Sequence, residues 1–349
     1  LVLEPLAAFL DAHGIGTGPI EATPIGEGHS NVTFALVRGG DRIVLRRPPL
    51  PPLPPSAHDV VREARGLSAL HGRARVPRVL AVCSDPTVIG APFFVMEHID
   101  AEVVGPSLPT AVDLPASERG AFGRELVDAL AELHAVDVEA AGLQAFGRPD
   151  RYLERQIRRF ADLWAGNRTR LLEDVDRVTA WLEATAPASG APTVVHGDYR
   201  AGNVMFAAHS GTVRLTAILD WELSTLGDPL ADVGYLNAMW AEPDDEETPM
   251  LALSAATRLP GFSTRAELRE RYAERTGRCV GTLGWYEVLA LWKSAIFLEC
   301  SYARYLAGRT EDPYFARLAD GVPAMARSAA ARMRLVDGQP TRRPRPSHA

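Results

Sequence analysis

The sequence predicts an α+β fold, with a small antiparallel β-sheet in an amino-terminal lobe and a larger, mainly helical carboxy-terminal lobe. Three observations support it: short apolar strands come early, a Gly-Gly turn joins two of them, and apolar residues recur at helical spacing after Asp100. A chain of 349 residues can bury two cores. We expect lobes over residues 1–97 and 98–336, and a disordered tail over 337–349.

The first lobe is predicted from alternating apolar runs and from turn residues. Arg38-Gly39-Gly40-Asp41 is typical of a hairpin turn. Ser56, with Asp59 three residues later, is typical of the start of a helix. The predicted helices are Pro5–His13 and Ala57–Leu70, and the predicted strands are Ala22–Ile25, Val32–Val37, Arg42–Arg47, Val79–Val82 and Pro92–Met96.

The second lobe is predicted from helical periodicity. His134, near the end of its first helix, is interpreted as a packed core histidine rather than a catalyst. The predicted helices are Ser117–Val136, Asp150–Gly166, Glu173–Ala184, Pro229–Trp240, Thr264–Thr276, Gly284–Ala307 and Pro313–Leu335.

Composition and charge exclude several classes of function. The net charge of −7 argues against a nucleic-acid partner, whose binding surface would be basic. The most apolar helix segment, Val288–Leu298, is too short to cross a membrane. Cys83, Cys279 and Cys300 are widely spaced and give neither a zinc motif nor a disulfide framework, so we expect the reducing cytoplasm. No obligate protein partner is evident.

Two short segments carry the chemistry. Within Val194–Phe206, Asp198 stands five residues before Asn203, and within Ala217–Glu222, Asp220 ends an apolar strand. Phosphoryl transfer from ATP needs a base near the acceptor hydroxyl and oxygen ligands for magnesium. These residues are the right groups in the right order. The alternative is a surface hairpin with Asp and Asn as turn residues, but a turn does not require the second aspartate.

These segments, together with Leu226–Gly234, resemble the aminoglycoside-phosphotransferase-like kinases (the group that includes choline kinase-like enzymes), which share the protein-kinase architecture. Within this family, the sequence most resembles the kinase domain that is fused to some acyl-CoA dehydrogenases. The resemblance implies a bilobal protein-kinase-like fold, ATP and Mg²⁺ as cofactors, and a small molecule with a hydroxyl group as substrate. It further implies roles for individual residues: Asp198 as catalytic base, Asn203 and Asp220 as magnesium ligands, His196 and Gly197 as loop-shaping residues, and Asp232 as the anchor of the loop.

A glycine-containing loop between the first two strands is a candidate cover for the phosphates. Gly26 and Gly28 let the backbone approach a ligand, and Ser30 and Asn31 can donate hydrogen bonds. A plain hairpin turn is the alternative. By resemblance, the backbone of Glu97 to Ile99 binds adenine.

The third strand carries Arg46 at the position where the family usually has a phosphate-binding lysine. In kinases, a helix glutamate orients that cation, and Glu63 is the candidate here. Arginine is a fork that keeps its proton, so it can pair with Glu63 and with a phosphate. The alternative is an ordinary surface ion pair.

The acceptor is the least determined part of the prediction. The acidic run Glu242–Glu247 could bind a polycationic aminoglycoside, although a solvated loop explains it more simply. The arginine-rich helix Asp150–Gly166 and the aromatic helix Gly284–Ala307, which carries Lys293, favour an apolar or anionic acceptor such as a hydroxyacyl-type compound. Packing and solvation are the simpler alternatives for those residues.

Two further hypotheses remain open. One is a catalytically weak nucleotide-binding pseudokinase scaffold, suggested by the absent strand lysine and by the proline run Pro48–Pro55. The other, a protein kinase, is disfavoured because the motifs are His-Gly-Asp and Asp-Trp-Glu rather than His-Arg-Asp and Asp-Phe-Gly.

Overall fold

The computed structural model describes residues 1–26, 31–49, 59–209, 211–310 and 312–338. The β-strands in these ranges are β1 (Glu21–Ile25), β2 (Val32–Arg38), β3 (Asp41–Arg47), β4 (Val79–Cys83), β5 (Phe93–Glu97), β6 (Glu102–Val103), β7 (Thr193–Val195), β8 (Val204–His209), β9 (Thr212–Ile218) and β10 (Thr225–Gly227). The α-helices are α1 (Leu3–Ala12), α2 (Val60–Leu70), α3 (Gly120–His134), α4 (Tyr152–Asn167), α5 (Glu173–Thr185), α6 (Leu230–Met239), α7 (Pro249–Ala252), α8 (Arg265–Thr276), α9 (Leu283–Leu306) and α10 (Leu318–Asp337).

The first lobe is an antiparallel sheet of five strands within the described ranges, in the order β1-β2-β3-β5-β4. The predicted five-stranded sheet is therefore confirmed. Its apolar face packs against α1, where Leu6 and Leu10 are fully buried against Leu45 and Phe93.

The β2–β3 hairpin needs both of its glycines. Gly39 and Gly40 have φ angles of 57° and 92°, the left-handed values that a two-residue hairpin turn requires. A Cβ on Gly39 would also lie 2.5 Å from the carbonyl oxygen of Thr17. This turn fixes the register that places Arg46 opposite Thr33.

Helix α2 connects the two lobes. Its apolar face, with Val60, Ala64 and Leu67, is buried in the large core that also contains the second lobe. Arg62 donates hydrogen bonds to the carbonyl oxygens of Phe146 (2.8 Å) and Ser224 (2.6 Å), both in the second lobe. These contacts hold Glu63 at the junction of the lobes.

The second lobe is mainly helical, as predicted. Helix α9 packs against α10, α6, α4 and α5. The second lobe also contains two small sheets, with strand orders β6-β8-β9 and β7-β10. Strand β7 ends just before His196, and β9 ends two residues before Asp220. The two-residue strand β6 and the three-residue strand β10 were not predicted, because runs this short have no readable periodicity.

Several predicted boundaries were wrong. Helix α2 begins at Val60, and the N-cap is Asp59, whose carboxylate accepts a hydrogen bond from the backbone N–H of Arg62 at 2.9 Å. Aspartate caps a helix as well as serine does. Ser56 and most of the proline run lie outside the described residues. The last predicted helix is instead a 3₁₀ turn, Pro313–Arg317, followed by α10.

The chain end and the membrane prediction have partial outcomes. Asp337, predicted to open the tail, is the last residue of α10, and residues 339–349 lie outside the described part of the chain. No helix in the described ranges combines the length and the apolar character needed to cross a bilayer.

Candidate active site

The loop after β7 is held by a buried aspartate. Asp232, fully buried near the start of α6, accepts hydrogen bonds from the backbone N–H groups of His196 (2.7 Å) and Gly197 (2.8 Å). His134 contacts the same carboxylate at 3.2 Å, and burial of His134 agrees with its predicted place in the core. Burial acts against ionisation of Asp232, but the hydrogen bond and charge of His134 outweigh it and lower the pKa of Asp232. Asp232 therefore fixes the start of the loop.

Gly197 and His196 shape this loop. Gly197 has a φ angle of 89°, and a Cβ there would lie 2.9 Å from the carbonyl oxygen of Leu223. His196 is buried, and its Nε2 lies 2.8 Å from the carbonyl oxygen of Leu219. The histidine thus joins the loop after β7 to the segment after β9.

The two carboxylate oxygens of Asp198 have different surroundings. The Nδ2 of Asn203 donates to Oδ2 of Asp198 at 2.7 Å and to its backbone oxygen at 2.9 Å. Within the described residues, Oδ1 of Asp198 is buried without a hydrogen-bond partner, and the Nε of Arg200 lies 3.6 Å from it. The contact with Arg200 is longer than a hydrogen bond, so this oxygen can still accept a hydrogen bond from a substrate hydroxyl.

Asp220 follows β9 and faces the first lobe. Its φ angle of 63° is a left-handed value that costs a non-glycine residue on the order of 1–3 kcal/mol. Its carboxylate forms an ion pair with Arg46 of β3. A strained backbone that aims a carboxylate into the space between lobes is typical of a functional position.

Arg46 lies between two carboxylates. Its Nε is 3.1 Å from Glu63 of α2, and its terminal nitrogen contacts Asp220. The predicted pairing with Glu63 is therefore present, and it is buried rather than on the surface, since only 3% of the Glu63 side chain is exposed. Arginine suits this place because its planar fork reaches two partners at once.

The buried cluster around Glu63 contains more acid than base. Asn31 donates hydrogen bonds to Glu63 (3.4 Å) and to Glu222 (3.1 Å). Burial raises the pKa of Glu63 to about 7, although the charge of Arg46 acts in the opposite direction. With Asp220, three carboxylates surround one guanidinium. This excess of negative charge favours an added cation at the site.

The donor set fits magnesium. Asp220 provides a carboxylate that is 33% exposed, and Asn203 directs its Nδ2 to Asp198, which leaves its amide oxygen as the possible ligand. Mg²⁺ takes oxygen ligands, commonly one or two from the protein and the rest from phosphates and water. In the described part of the chain, no group of three or more His, Cys, Asp or Glu side chains could hold a metal by itself.

The other predicted nucleotide-binding residues have different outcomes. Gly26 follows β1 with a φ angle of 79°, whereas Gly28 and Ser30 lie outside the described residues. Glu97 ends β5, and its side chain accepts a hydrogen bond from the backbone N–H of Arg78 at 2.8 Å. Ile99 lies two residues further on, between β5 and β6. Their adenine contacts remain predictions.

Three residues at the site were not predicted from the sequence. Glu222 contacts Asn31, and Arg200 lies beside Asp198. Tyr235 of α6 is close enough to Asp198 that burial first, and then the charge of Asp198, raise its pKa well above the usual value. Sequence spacing was the available signal for two of them. Arg200 lies two residues after Asp198, and Glu222 lies two residues after Asp220.

A β-sheet lobe joined to a helical lobe, with Asp198, Asn203 and Asp220 at their junction, defines a kinase-like phosphotransferase. The model of the phosphotransferase enzyme family matches residues 21–288. The chain belongs to that family, and the resemblance inferred from the motifs is confirmed.

Individual relatives agree with this assignment. A Ralstonia eutropha protein described as a candidate aminoglycoside phosphotransferase is 30% identical, with a TM-score of 0.77 over 95% of this chain and 98% of that one. Acyl-CoA dehydrogenase family member 10 of Mus musculus is 33% identical over 310 residues, which cover 87% of this chain. The match covers only 28% of that mouse protein. The spectinomycin phosphotransferase solved with ADP and spectinomycin is 11% identical with a TM-score of 0.62, which shows a shared fold.

Proposed function

We propose that this chain transfers the γ-phosphoryl group of ATP, with Mg²⁺, to a hydroxyl group of a small hydroxyacyl-type molecule. The observation that carries the proposal is the state of Asp198. Asn203 binds one of its carboxylate oxygens, and the other lies 3.6 Å from Arg200, beyond hydrogen-bond distance. That arrangement suits a base that receives the proton of an acceptor hydroxyl.

Each lobe contributes one half of the proposed site. Arg46 binds a phosphate of ATP and Glu63 orients its guanidinium, as their contact at 3.1 Å supports. Asn203 and Asp220 hold Mg²⁺, which when bound neutralises the charge on the phosphates. In this proposal, the nucleotide-binding lobe spans residues 1–97 and the catalytic lobe spans residues 98–336.

The remaining nucleotide contacts come from the first lobe. The loop with Gly26, Gly28, Ser30 and Asn31 covers the phosphates, and the backbone from Glu97 to Ile99 binds adenine. The buried side chain of Asn31 already lies beside Glu63 and Glu222, which supports its place at the phosphate site.

Asp198 acts mainly by orientation. The transition state of phosphoryl transfer is loose. Correct placement of the acceptor hydroxyl therefore raises the rate more than strong basicity of the carboxylate would. Asp232 supports this by fixing the backbone on either side of Gly197.

The acceptor is assigned from two kinds of support. Lys293 of α9 lines a pocket beside Gly197, and the charge of Arg159 of α4 acts on it. Cations favour an anionic acceptor. The chain also resembles part of an acyl-CoA dehydrogenase family protein, whose name concerns acyl compounds.

An aminoglycoside or another amino sugar is the second candidate, since the fold neighbours include such phosphotransferases. A polycationic acceptor needs free carboxylates. In the acidic run, however, Glu242 and Asp245 share ion pairs with Arg265, so part of the acidic charge is already compensated within the protein. This observation places the aminoglycoside second.

The pseudokinase scaffold is the candidate of a different class. A scaffold would not need Asp198, Asn203 and Asp220 together, whereas a magnesium-dependent phosphotransferase uses all three. Magnesium-dependent transfer that is lost in Asp198→Ala would exclude it.

An acceptor panel tests the proposed function. Wild-type protein and Asp198→Ala are incubated with Mg-ATP and hydroxy acids, their CoA esters, choline, amino sugars or aminoglycosides, and phosphorylated products are identified by mass spectrometry. We expect stoichiometric transfer to a hydroxyacyl compound by the wild type alone. Transfer to an aminoglycoside alone would contradict the hydroxyacyl assignment, and transfer to none would contradict the activity.

A further inference from the structure

Lys293 stands out among the basic residues of this chain. The sequence has 37 lysine and arginine residues in total, and Lys293 is its single lysine. It lies on α9, the helix at the centre of the second lobe. A position that keeps an ammonium group in a chain otherwise built with guanidinium groups indicates a requirement for that group.

The ammonium group of Lys293 forms no close ion pair within the described residues. Its Nζ lies 3.1 Å from Oε1 of Gln156 and 4.7 Å from the centre of the Phe160 ring. Within the described residues, no carboxylate lies within 4 Å of it. A desolvated cation is expensive unless it is paired, and one neutral amide and one aromatic face provide only partial compensation.

Lys293 lies beside the catalytic loop. It lines a small pocket with Gly197, Tyr235 and Asp232. The carboxylate of Asp232 accepts hydrogen bonds from the backbone of His196 and Gly197, so it is already engaged. Lys293 is therefore the cation that lines this pocket, and the pocket lies beside Gly197, the residue before Asp198.

The dimensions of the pocket restrict what can enter it. It encloses about 10 Å³, which is room for about one water-sized group. A single oxygen of a terminal group fits this space, so only the tip of an acceptor can enter it. Lysine suits such a confined position, because its ammonium is a compact point charge and a guanidinium is a wide planar fork.

We propose that Lys293 binds a carboxylate group of the acceptor while the acceptor's hydroxyl group lies against Asp198. This inference rests on the proposed function and narrows it to a hydroxy acid with an ionised carboxylate. Lys293 is then a specificity-determining residue, and the hydroxyl group and the carboxylate of the acceptor are bound by the two ends of one cleft.

The charge state of Lys293 agrees with this role. Burial first, and then the like charge of Arg159, lower the pKa of Lys293 to about 8, against the opposing effects of Asp232 and Asp198. The ammonium remains protonated at neutral pH, and a bound carboxylate would relieve the cost of its burial.

The first test compares one hydroxy acid with its uncharged amide. Wild-type enzyme should phosphorylate the acid with a kcat/KM about 100-fold above that of the amide, in line with a charge-assisted contact. Lys293→Met should remove that preference, mainly through KM for the acid, and Lys293→Arg should restore part of it. Arg304→Met, which removes an exposed cation from the same helix, should retain the wild-type preference.

Two results would overturn the inference. An equal kcat/KM for acid and amide in the wild type would show that no cation of the enzyme binds the acceptor carboxylate. This comparison does not require any variant to fold. Equal loss on acid and amide in Lys293→Met would show a structural role instead. A wild type inactive on every acceptor would contradict the proposed function rather than this inference.

A second test needs no turnover. Lysine labelled with ¹⁵N at Nζ gives one ammonium signal from this chain, because the sequence has one lysine. In the presence of Mg²⁺ and a non-hydrolysable ATP analogue, the hydroxy acid should shift this signal and the amide should not. An unchanged signal at saturating hydroxy acid would contradict the assignment even if the enzyme is active.

Discussion

The two cationic positions of this protein are built in opposite ways. Arg46, on the nucleotide side, contacts Glu63 and Asp220 and lies in a cluster with more acid than base. Lys293, on the proposed acceptor side, contacts an amide and an aromatic ring and has no carboxylate within 4 Å in the described residues. In the function we propose, the nucleotide side is organised in advance by paired charges, whereas the acceptor side has a charge to be paired by its ligand.

Asp198 connects these two sides, and its loss should have the largest effect. Asp198→Ala should lower phosphoryl transfer about 1,000-fold, the usual contribution of a positioned acid–base group. Affinity for Mg-ATP should change little, because Asn203 and Asp220 remain. Single-turnover kinetics and calorimetry measure the two quantities, and a parallel loss of nucleotide affinity would show that the sides are not separable.

Asp220 tests the nucleotide side alone. Asp220→Ala should weaken Mg-ATP binding about 100-fold, because loss of a charged contact costs on the order of 3 kcal/mol. Titration calorimetry with and without Mg²⁺ measures this change. Asp100→Ala, at a carboxylate that is 92% exposed, is the matched control and should bind as the wild type does. Unchanged Mg-ATP affinity in Asp220→Ala would contradict its role as a ligand.

Arg46 tests whether an arginine replaces the usual lysine. Arg46→Met should reduce kcat/KM for ATP on the order of 30-fold, since charge-assisted bonds to phosphate are lost. Arg46→Lys should recover only part of this, because an ammonium cannot bridge Glu63 and Asp220 as a fork does. Arg65→Met, which removes an exposed arginine of α2, is the control. Full activity of Arg46→Met would contradict a phosphate contact.

The acceptor side should show a pH dependence between pH 7 and pH 9. The pKa of Lys293 is lowered to about 8 by burial and by Arg159, so the ammonium is charged below that pH and neutral above it. Other groups facing it are Asp232 and Tyr235 of α6 and Asp198 of the loop.

The KM for a hydroxy acid should therefore rise about tenfold from pH 7 to pH 9, as the charged fraction of a group with this pKa falls. Lys293→Arg should remove the rise, because a guanidinium keeps its proton. Steady-state kinetics at saturating Mg-ATP checks this, and a KM independent of pH in the wild type would contradict it.

The sequence predicted the nucleotide side better than the acceptor side, and the reasons are physical. Asp198, Asn203 and Asp220 lie in short segments with fixed spacing, and local turns and strand ends carry most of their geometry. Arg46 and Glu63 lie on neighbouring elements whose periodicity is readable, so their contact could be anticipated.

The acceptor side depends on long-range packing. Tyr235 and Lys293 reach the pocket from different helices, and nothing in their local sequence states that α6 and α9 meet beside Gly197. Lys293 was noticed only as one cation on an aromatic helix. Its status as the single lysine was a readable signal, but its meaning depends on the pocket that the fold builds around it.

The most direct test of the central claim is a ³¹P NMR time course of Mg-ATP with a hydroxy acid and the wild-type protein. We expect a phosphate monoester of the acceptor to appear at the rate at which ADP forms, with little inorganic phosphate. Formation of ADP and inorganic phosphate without a monoester, or no consumption of ATP with any hydroxyl acceptor, would contradict the assignment of this chain as a small-molecule phosphotransferase.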